Sequence, residues 1–176
     1  AVGHAVRAVY MYAGMMDIAV LYNDTAYLHA VKEIWNNIVT RKMYITGGLG
    51  ARHAGESFGE NYELPNLTAY AETCAGIGSV LLNHRMFLNS GDAQYYDIIE
   101  RTLYNAVLPA ISLSGDRFFY SNPMSFDGEF AFNAGAKERK PWFDVSCCPT
   151  NLIRFMPSIP NLIYAIRKDS VFVNLF

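Results

Sequence analysis

The chain contains three cysteines, and their positions suggest metal chemistry. Cys74 lies two residues after Glu72, whereas Cys147 and Cys148 are adjacent and are followed by Pro149. A disulfide between neighbouring cysteines strains the backbone. Three thiols and a carboxylate instead make a four-ligand set that suits tetrahedral zinc. Three ordinary buried thiols are the alternative, which spacing alone leaves open because free Cys also packs as a small apolar side chain.

Pro149 indicates how the cysteine pair is presented. Proline disfavours helical backbone at the preceding residue and suits the first turn of a helix, so the sequence predicts an extended Cys148 and a helix over residues 150–156. The free amides and the dipole at a helix N-terminus favour a thiolate. A reactive sulfur is therefore expected here. A second helix start is expected near residues 69–72, close to the carboxylate ligand.

Helical periodicity dominates the first part of the chain. Apolar residues recur at three- and four-residue spacing in two segments, and Asp24 between them is a candidate cap. The two sets are Val6, Val9, Tyr10, Ala13, Met16 and Val20, then Leu28, Val31, Ile34, Trp35 and Ile38. The pattern predicts two helices that form a hairpin.

The remaining elements are also mostly helical. The predicted helices cover about residues 69–88, then run to about residue 108 after a stop at 90–92, and finally cover 150–167 with a break at Pro157 and Pro160. Long loops are expected at 52–66 and 124–146, and a strand at 171–176. Paired helices separated by long loops indicate an α/α toroid that carries function on loops at one end.

Composition excludes several classes of protein. The chain has 176 residues, of which 52% are hydrophobic and 17% charged, as in a globular protein. A net charge of −2 offers no basic patch for nucleic acid, and no apolar stretch reaches the about 18 residues of a membrane span. We expect neither nucleic acid nor membrane as a partner. The chain opens inside a helical pattern and closes inside a strand pattern, so we expect a piece of a larger protein.

Several motifs, taken together, resemble glycoside hydrolase family 127, the β-L-arabinofuranosidase family formerly described as a domain of unknown function. The motifs are YITGGLG at 44–50, the Gly55–Glu56 step, YELPN at 62–66, YAETCA at 70–75 and CCP at 147–149. The resemblance runs through nearly the whole chain. It implies a mostly α fold, with part of an (α/α)6 barrel catalytic domain over residues 1–168 and the first strand of a following β-sandwich domain over residues 169–176.

The resemblance also implies roles for the residues that open this section. It implies a zinc ion held by Glu72, Cys74, Cys147 and Cys148, with Cys147 also acting as the nucleophile of a retaining hydrolysis, and Glu56 as the acid/base. Four protein ligands leave no position for a metal-bound water. Either the zinc is structural, or one thiolate leaves it to react.

The resemblance implies sugar-contacting side chains at His4 and Tyr120, with His53 as a weaker candidate. Judged by residue type alone, His4 and Tyr120 suit packing in a core, and Glu56 suits an exposed loop. The resemblance reverses the interpretation of Glu56. The expected substrate is a small oligosaccharide or glycoside.

Two other functions compete with a retaining exo-glycosidase that releases terminal β-L-arabinofuranose or a related furanose. One is a non-enzymatic helical domain with a structural zinc site. The other is a sugar isomerase or lyase on an α/α toroid. We expect a cytoplasmic location because free cysteines serve as ligands, and homodimer formation through domains that the chain lacks.

Overall fold

Helix α3, Thr73–Ser90, lies at the centre of the computed structural model, which describes residues 1–175. Helices α1 (Ala5–Leu21), α4 (Gln94–Thr102) and α5 (Cys147–Phe155) all pack against α3. Most side chains of α3 are buried, as expected for a helix that is covered on several sides. Gly91 ends α3 in the left-handed conformation, with φ of 75°, which glycine adopts without a steric penalty. The structure is mostly helical.

Helices α1 and α2 (Thr25–Arg41) form the predicted hairpin. Asp24 caps α2, because its carboxylate accepts hydrogen bonds from the backbone N–H groups of Ala26 and Tyr27, both at 3.0 Å. Such a cap satisfies donors that have no partner inside the helix. The cap predicted from sequence at Asp24 is confirmed.

Two irregular turns continue the helical segment after α4. A π turn over Leu103–Val107 is followed by a 3-10 turn over Leu108–Ala110. Pro109 lies at the start of the 3-10 turn, where its missing N–H costs little. The helical segment therefore ends close to its predicted end at residue 108.

Helix α5 begins earlier than predicted. It starts at Cys147, so Cys148 is helical rather than extended, and the expectation drawn from Pro149 is wrong on this point. Proline occupies the third position of the helix, where its N–H would have no partner. The first helical hydrogen bond runs from the backbone N–H of Thr150 to the carbonyl of Ser146 at 3.2 Å. Both cysteines lie in the first turn of a helix, as predicted.

The predicted helix over 150–167 is wrong in its last part. After α5 the chain forms a 3-10 turn at Met156–Ser158 and a short helix α6 at Pro160–Ile163. Strand β1, Tyr164–Arg167, then pairs antiparallel with β2, Ser170–Val173. A four-residue segment shows neither helical nor strand periodicity clearly, and β1 is extended because β2 supplies its hydrogen-bond partners.

The structure has two strands, β1 and β2, where the sequence predicted the end of a helix at residue 167 and one strand over residues 171–176. In the register of the β1–β2 hairpin, Tyr164 lies opposite Val173 and Arg167 opposite Ser170, so the hairpin spans the expected domain boundary at 168/169. The boundary itself stays a prediction. Phe176, the last residue of the predicted strand, lies outside the described residues.

Long loops, joined by isolated bridges, surround the helix starts. His4 pairs with Ser57, Glu72 with Ser121, and Phe118 with Lys140. These bridges tie the loop before α3 and the loop before α5 to the helical core. Among the helices within residues 1–175, none is both long enough and apolar enough to cross a bilayer.

Candidate active site and metal centre

Four potential metal ligands converge where α3 and α5 begin. The donor atoms of Glu72, Cys74, Cys147 and Cys148 all lie within 4.8 Å of one another. The sulfurs of Cys74 and Cys147 are 3.1 Å apart, and Glu72 Oε1 lies 3.5 Å from Cys148 Sγ and 4.0 Å from Cys147 Sγ. Residues far apart in sequence thus form the cluster that the cysteine pattern predicted.

Local backbone structure explains the convergence. Glu72 is the residue that precedes α3, in extended conformation, and Cys74 lies in the first turn of that helix. The first turn of α5 carries the other two cysteines. Ala71 adopts φ of 35°, which is unfavourable for a residue with a Cβ and is typical of functional sites. Two helix N-termini, which stabilise negative charge, therefore face one cluster of acidic ligands.

The environment of Glu72 favours a cation. The residue is 2% exposed, and its Oε2 is buried without a hydrogen-bond partner. Burial, followed by the negative charges of Glu56 and Cys147, raises the pKa of Glu72 to about 8. A carboxylate that is buried beside thiolates needs a compensating positive charge. The cluster could hold a metal ion that supplies it.

The donor set fits zinc. The four donor atoms lie within 4.8 Å of one another, so one ion could contact all four, as a tetrahedral zinc site requires. Three thiols and one carboxylate select zinc over magnesium or calcium, which prefer oxygen ligands.

Cys147 and Cys148 differ in chemical character. Cys147 is partly buried and Cys148 is fully buried. A hydrogen bond from Cys148 is the main cause that lowers the pKa of Cys147 to about 6, and the thiol of Cys74 and the hydroxyl of Tyr120 contribute in the same direction. Burial raises the pKa of Cys148. Of the two, Cys147 is the one suited to act as a nucleophile, because thiolate and access are both required.

Glu56 is held by two side chains. It ends the 3-10 turn Ala54–Glu56, and its own φ is 49°. His4 Nε2 lies 2.8 Å from Glu56 Oε2, and the hydroxyl of Tyr70 donates to Glu56 Oε1 at 3.1 Å. The negative charge of Glu56 acts to raise the pKa of Cys147, against the hydrogen bonds that lower it. The roles of Glu56 as acid/base and Cys147 as nucleophile stay predictions.

A cavity of about 320 Å³ opens beside these groups. Its wall combines Glu56 and aromatic side chains with residues from the loop before α5. The lining residues are His53, Glu56, Tyr70, Tyr120, Ser121, Ala131, Phe132, Ala134, Gly135, Lys140, Phe143, Asp144 and Val145. A cavity with aromatic walls and a few polar groups is typical of a small-molecule site.

The sequence-predicted sugar contacts lie around this cavity. Tyr120 and His53 line it, and His4 reaches the same region through its contact with Glu56. The ring of His53 packs edge-on against Tyr70 at 4.8 Å and against Phe130 at 5.6 Å. The structure thus brings all three residues to one place. Whether they contact sugar stays a prediction.

Sequence reasoning missed several residues of the site. Tyr70 was part of a motif but had no assigned role, although its position two residues before Glu72 was a usable signal. Phe143 and Asp144 line the cavity from a segment that gave no periodic pattern. Lys140, within the predicted loop over 124–146, also lines the cavity; it is partly buried, and its Nζ lies 5.1 Å from the centre of the Phe143 ring.

Comparison with known proteins agrees with these features. Residues 1–161 match the family described as β-L-arabinofuranosidase, GH127 catalytic domain. The non-reducing end β-L-arabinofuranosidase of Bifidobacterium longum is 36% identical over 169 residues, which are 94% of this chain and 26% of that protein.

Solved structures give the same result. A GH127 β-arabinofuranosidase is 57% identical with a TM-score of 0.93, over 100% of this chain and 27% of that one. A GH127 β-L-arabinofuranosidase from Geobacillus stearothermophilus T6 is 44% identical with a TM-score of 0.94, over 99% of this chain and 28% of that one. The chain spans about a quarter of the length of these relatives. On the strength of the matched residues and the shared fold, the chain belongs to the GH127 β-L-arabinofuranosidase catalytic-domain family.

Proposed function

We propose that this chain is part of the catalytic domain of a retaining exo-glycosidase that releases terminal β-L-arabinofuranose, or a related furanose, from a small oligosaccharide or glycoside. The observation that carries the proposal is that Glu56 and Tyr120 line one cavity and that the hydroxyl of Tyr120 also helps to lower the pKa of Cys147, a partly buried thiol. The relatives are named for this activity. A nucleophile and an acid/base are the two groups that retaining hydrolysis requires.

The proposed reaction has two steps. In the first, the Cys147 thiolate attacks the anomeric carbon while Glu56 gives a proton to the departing oxygen, so that the glycosidic bond breaks and a carbon–sulfur bond forms. In the second, the Glu56 carboxylate takes a proton from water, and the water oxygen displaces the sulfur. Two inversions leave the configuration of the sugar unchanged.

We assign zinc to Glu72, Cys74, Cys147 and Cys148. When bound, zinc would hold Cys147 as a thiolate at neutral pH. The other three ligands are buried and would stay in place when Cys147 turns to the sugar. His4, Tyr120 and His53 are the proposed contacts to the sugar hydroxyls and ring faces.

The proposal includes a larger architecture. Residues 1–168 would form part of an (α/α)6 barrel, and residues 169–176 would begin a β-sandwich domain. Homodimer formation would use those further domains. A cytoplasmic location is proposed because the thiol ligands need reducing conditions.

The test uses the natural protein that contains this chain. We expect turnover of an aryl β-L-arabinofuranoside with retained configuration by NMR, and a mechanism-based furanoside should leave its sugar on the peptide that carries Cys147. Glu56→Gln should slow substrates with poor leaving groups by about 100-fold or more, because general acid catalysis contributes on that order. Glu60→Gln, an exposed carboxylate of the same loop region, is the matched control.

Label on Cys148 or on Glu72, or no label in an enzyme that retains configuration, would overturn the assignment of Cys147. A structural zinc site without catalysis is the second candidate function. It is favoured by the burial of Glu72, Cys74 and Cys148. That candidate predicts bound zinc and no turnover of any furanoside.

A further inference from the structure

Backbone contacts fix the main chain at Glu56, whose N–H donates to the carbonyl of His53 at 3.1 Å, but not the direction of its carboxyl. Gly55 and Glu56 both adopt positive φ, 69° and 49°, in a turn of three residues. The Glu56 side chain is 36% exposed. Within residues 1–175, its carboxyl has two side-chain partners, His4 on Oε2 and Tyr70 on Oε1. The direction in which the carboxyl points therefore depends on these two contacts.

Tyr70 is the more deeply buried of the two partners, at 8% exposed against 22% for the His4 side chain. The residue is buried, and its ring packs edge-on against His53 at 4.8 Å and lies 6.4 Å from the ring of Tyr120. Its backbone carbonyl accepts a hydrogen bond from the N–H of Asn122 at 3.1 Å. The hydroxyl that donates to Glu56 Oε1 is therefore carried by a ring that its neighbours hold in place.

We propose that Tyr70 is a positioning residue, whose hydroxyl holds Glu56 Oε1 and so orients the Glu56 carboxyl for proton transfer. This proposal rests on the proposed role of Glu56 as acid/base. Proton transfer depends strongly on the position of the acid, and a carboxyl that rotates away loses most of its effect. Tyr70 does not need to touch substrate for this role.

The segment Tyr70–Ala71–Glu72 adds a second consequence. One end of the segment holds the acid/base and the other end supplies a ligand of the metal cluster. Ala71 between them is fixed by its N–H bond to the carbonyl of Gly50 at 2.7 Å and by Asn122 Nδ2, which donates to its carbonyl at 3.0 Å. The same three residues thus set the position of Glu56 relative to the thiol cluster.

The first experiment replaces Tyr70 by Phe in the natural protein. Tyr70→Phe keeps the ring and removes only the hydroxyl. We expect kcat/KM, which reports the step that forms the carbon–sulfur bond, to fall by about tenfold for substrates with poor leaving groups, on the order of one hydrogen bond. Substrates with activated aryl leaving groups should lose less than about twofold, because they need little protonation. Tyr44→Phe is the control, since Tyr44 is also buried but donates to the carbonyl of Pro65.

A double-mutant cycle separates positioning from a structural role. If Tyr70 acts through Glu56, Tyr70→Phe should have no further effect in a Glu56→Gln background. An equal loss for all leaving groups, or the same loss in the Glu56→Gln background, would overturn the proposal. The proposal would also be overturned if Tyr44→Phe lost as much activity as Tyr70→Phe, with the same dependence on the leaving group.

Crystal structures of the wild type and Tyr70→Phe distinguish this inference from the proposed function. A carboxyl of Glu56 that rotates or splits between conformers in the variant supports positioning even if the wild type has no furanosidase activity, in which case only the proposed function fails. A carboxyl that stays in place refutes the positioning role whether or not the enzyme is active.

Discussion

At the scale of single residues, the environment separates two adjacent cysteines. The sulfur of Cys147 is partly accessible and has a lowered pKa, whereas that of Cys148 is buried and has a raised one. Both lie at the start of α5, so the helix dipole does not distinguish them. The difference comes from burial and from the direction of the hydrogen bonds between the thiols. Cys147 is therefore the sulfur on which reactivity is expected.

We predict selective alkylation after zinc is removed by a chelator. Iodoacetamide should modify Cys147 before Cys148. Because the thiolate is the reactive form, alkylation of Cys147 should be slow below about pH 6, its lowered pKa. The alkylation rate should rise as the pH increases through that value. Peptide mass spectrometry over a pH series gives the measurement. A midpoint near 8.5, the value of an ordinary thiol, or prior modification of Cys148 would contradict the assignment.

Metal content gives a prediction at the same scale. The natural protein should carry about one zinc per chain. Cys74→Ser and Glu72→Ala should each lower the zinc content and reduce Tm by several degrees, because metal binding is coupled to folding. Glu60→Gln should change neither quantity. Elemental analysis and thermal unfolding measure both, and a folded wild-type protein without metal would refute the prediction.

At the scale of elements, the close approach of α1 to α3 positions the site. An added Cβ at Gly78 would lie 2.5 Å from Cγ2 of Val9, so glycine is required for the two helices to pack at this distance. His4 immediately precedes α1, and Cys74 lies in the first turn of α3. Spacing between these helices therefore affects both the acid/base region and the metal cluster.

We predict that Gly78→Ala destabilises the protein although alanine favours helix. The gain in helix propensity is about 1 kcal/mol, but overpacking costs about 1–3 kcal/mol, so a net loss of about 1 kcal/mol is expected. Gly14→Ala is the matched control in α1, because no atom lies within 4 Å of its added Cβ, and it should stabilise by about 0.5–1 kcal/mol. Urea unfolding of both variants gives the comparison, and a stabilising Gly78→Ala would contradict the packing argument.

At the scale of the whole molecule, the helices expose apolar side chains that the described residues do not cover. The larger ones on the helices are Met11, Ile18, Val20, Leu21, Tyr27, Leu88 and Ile153. Exposed apolar patches beyond about a few hundred Å² are unusual for a soluble monomer. The relatives are about four times as long as this chain. Contacts with further parts of such a protein would cover these faces.

We predict that residues 1–176, expressed alone, aggregate or lack activity. The expected cause is the uncovered apolar surface. Size-exclusion chromatography and thermal unfolding of the isolated chain, with the natural protein as control, measure the outcome. A soluble monomer with sharp cooperative unfolding would show that the described residues form an independent folding unit.

The helical hairpin and the Asp24 cap could be predicted because each depends on residues within a few positions of one another. The early start of α5 and the strand β1 could not. In α5, Pro149 is tolerated in the first turn, where its N–H would have no partner, and this outweighed the preference of the residue before a proline for extended backbone. In β1 the partner strand, rather than its own short pattern, decided the conformation.

Residue types and spacing by themselves indicated three thiols and a carboxylate as a candidate metal set and left ordinary buried thiols open, while the combined motifs indicated the family and, through it, the four ligands. Tertiary structure alone decided that Cys74 meets Cys147 across 73 positions, that Cys147 is the accessible sulfur, and that Tyr70 holds Glu56. Distance, burial and pKa depend on which segments pack together, and side-chain chemistry read along the chain carries no measure of that packing.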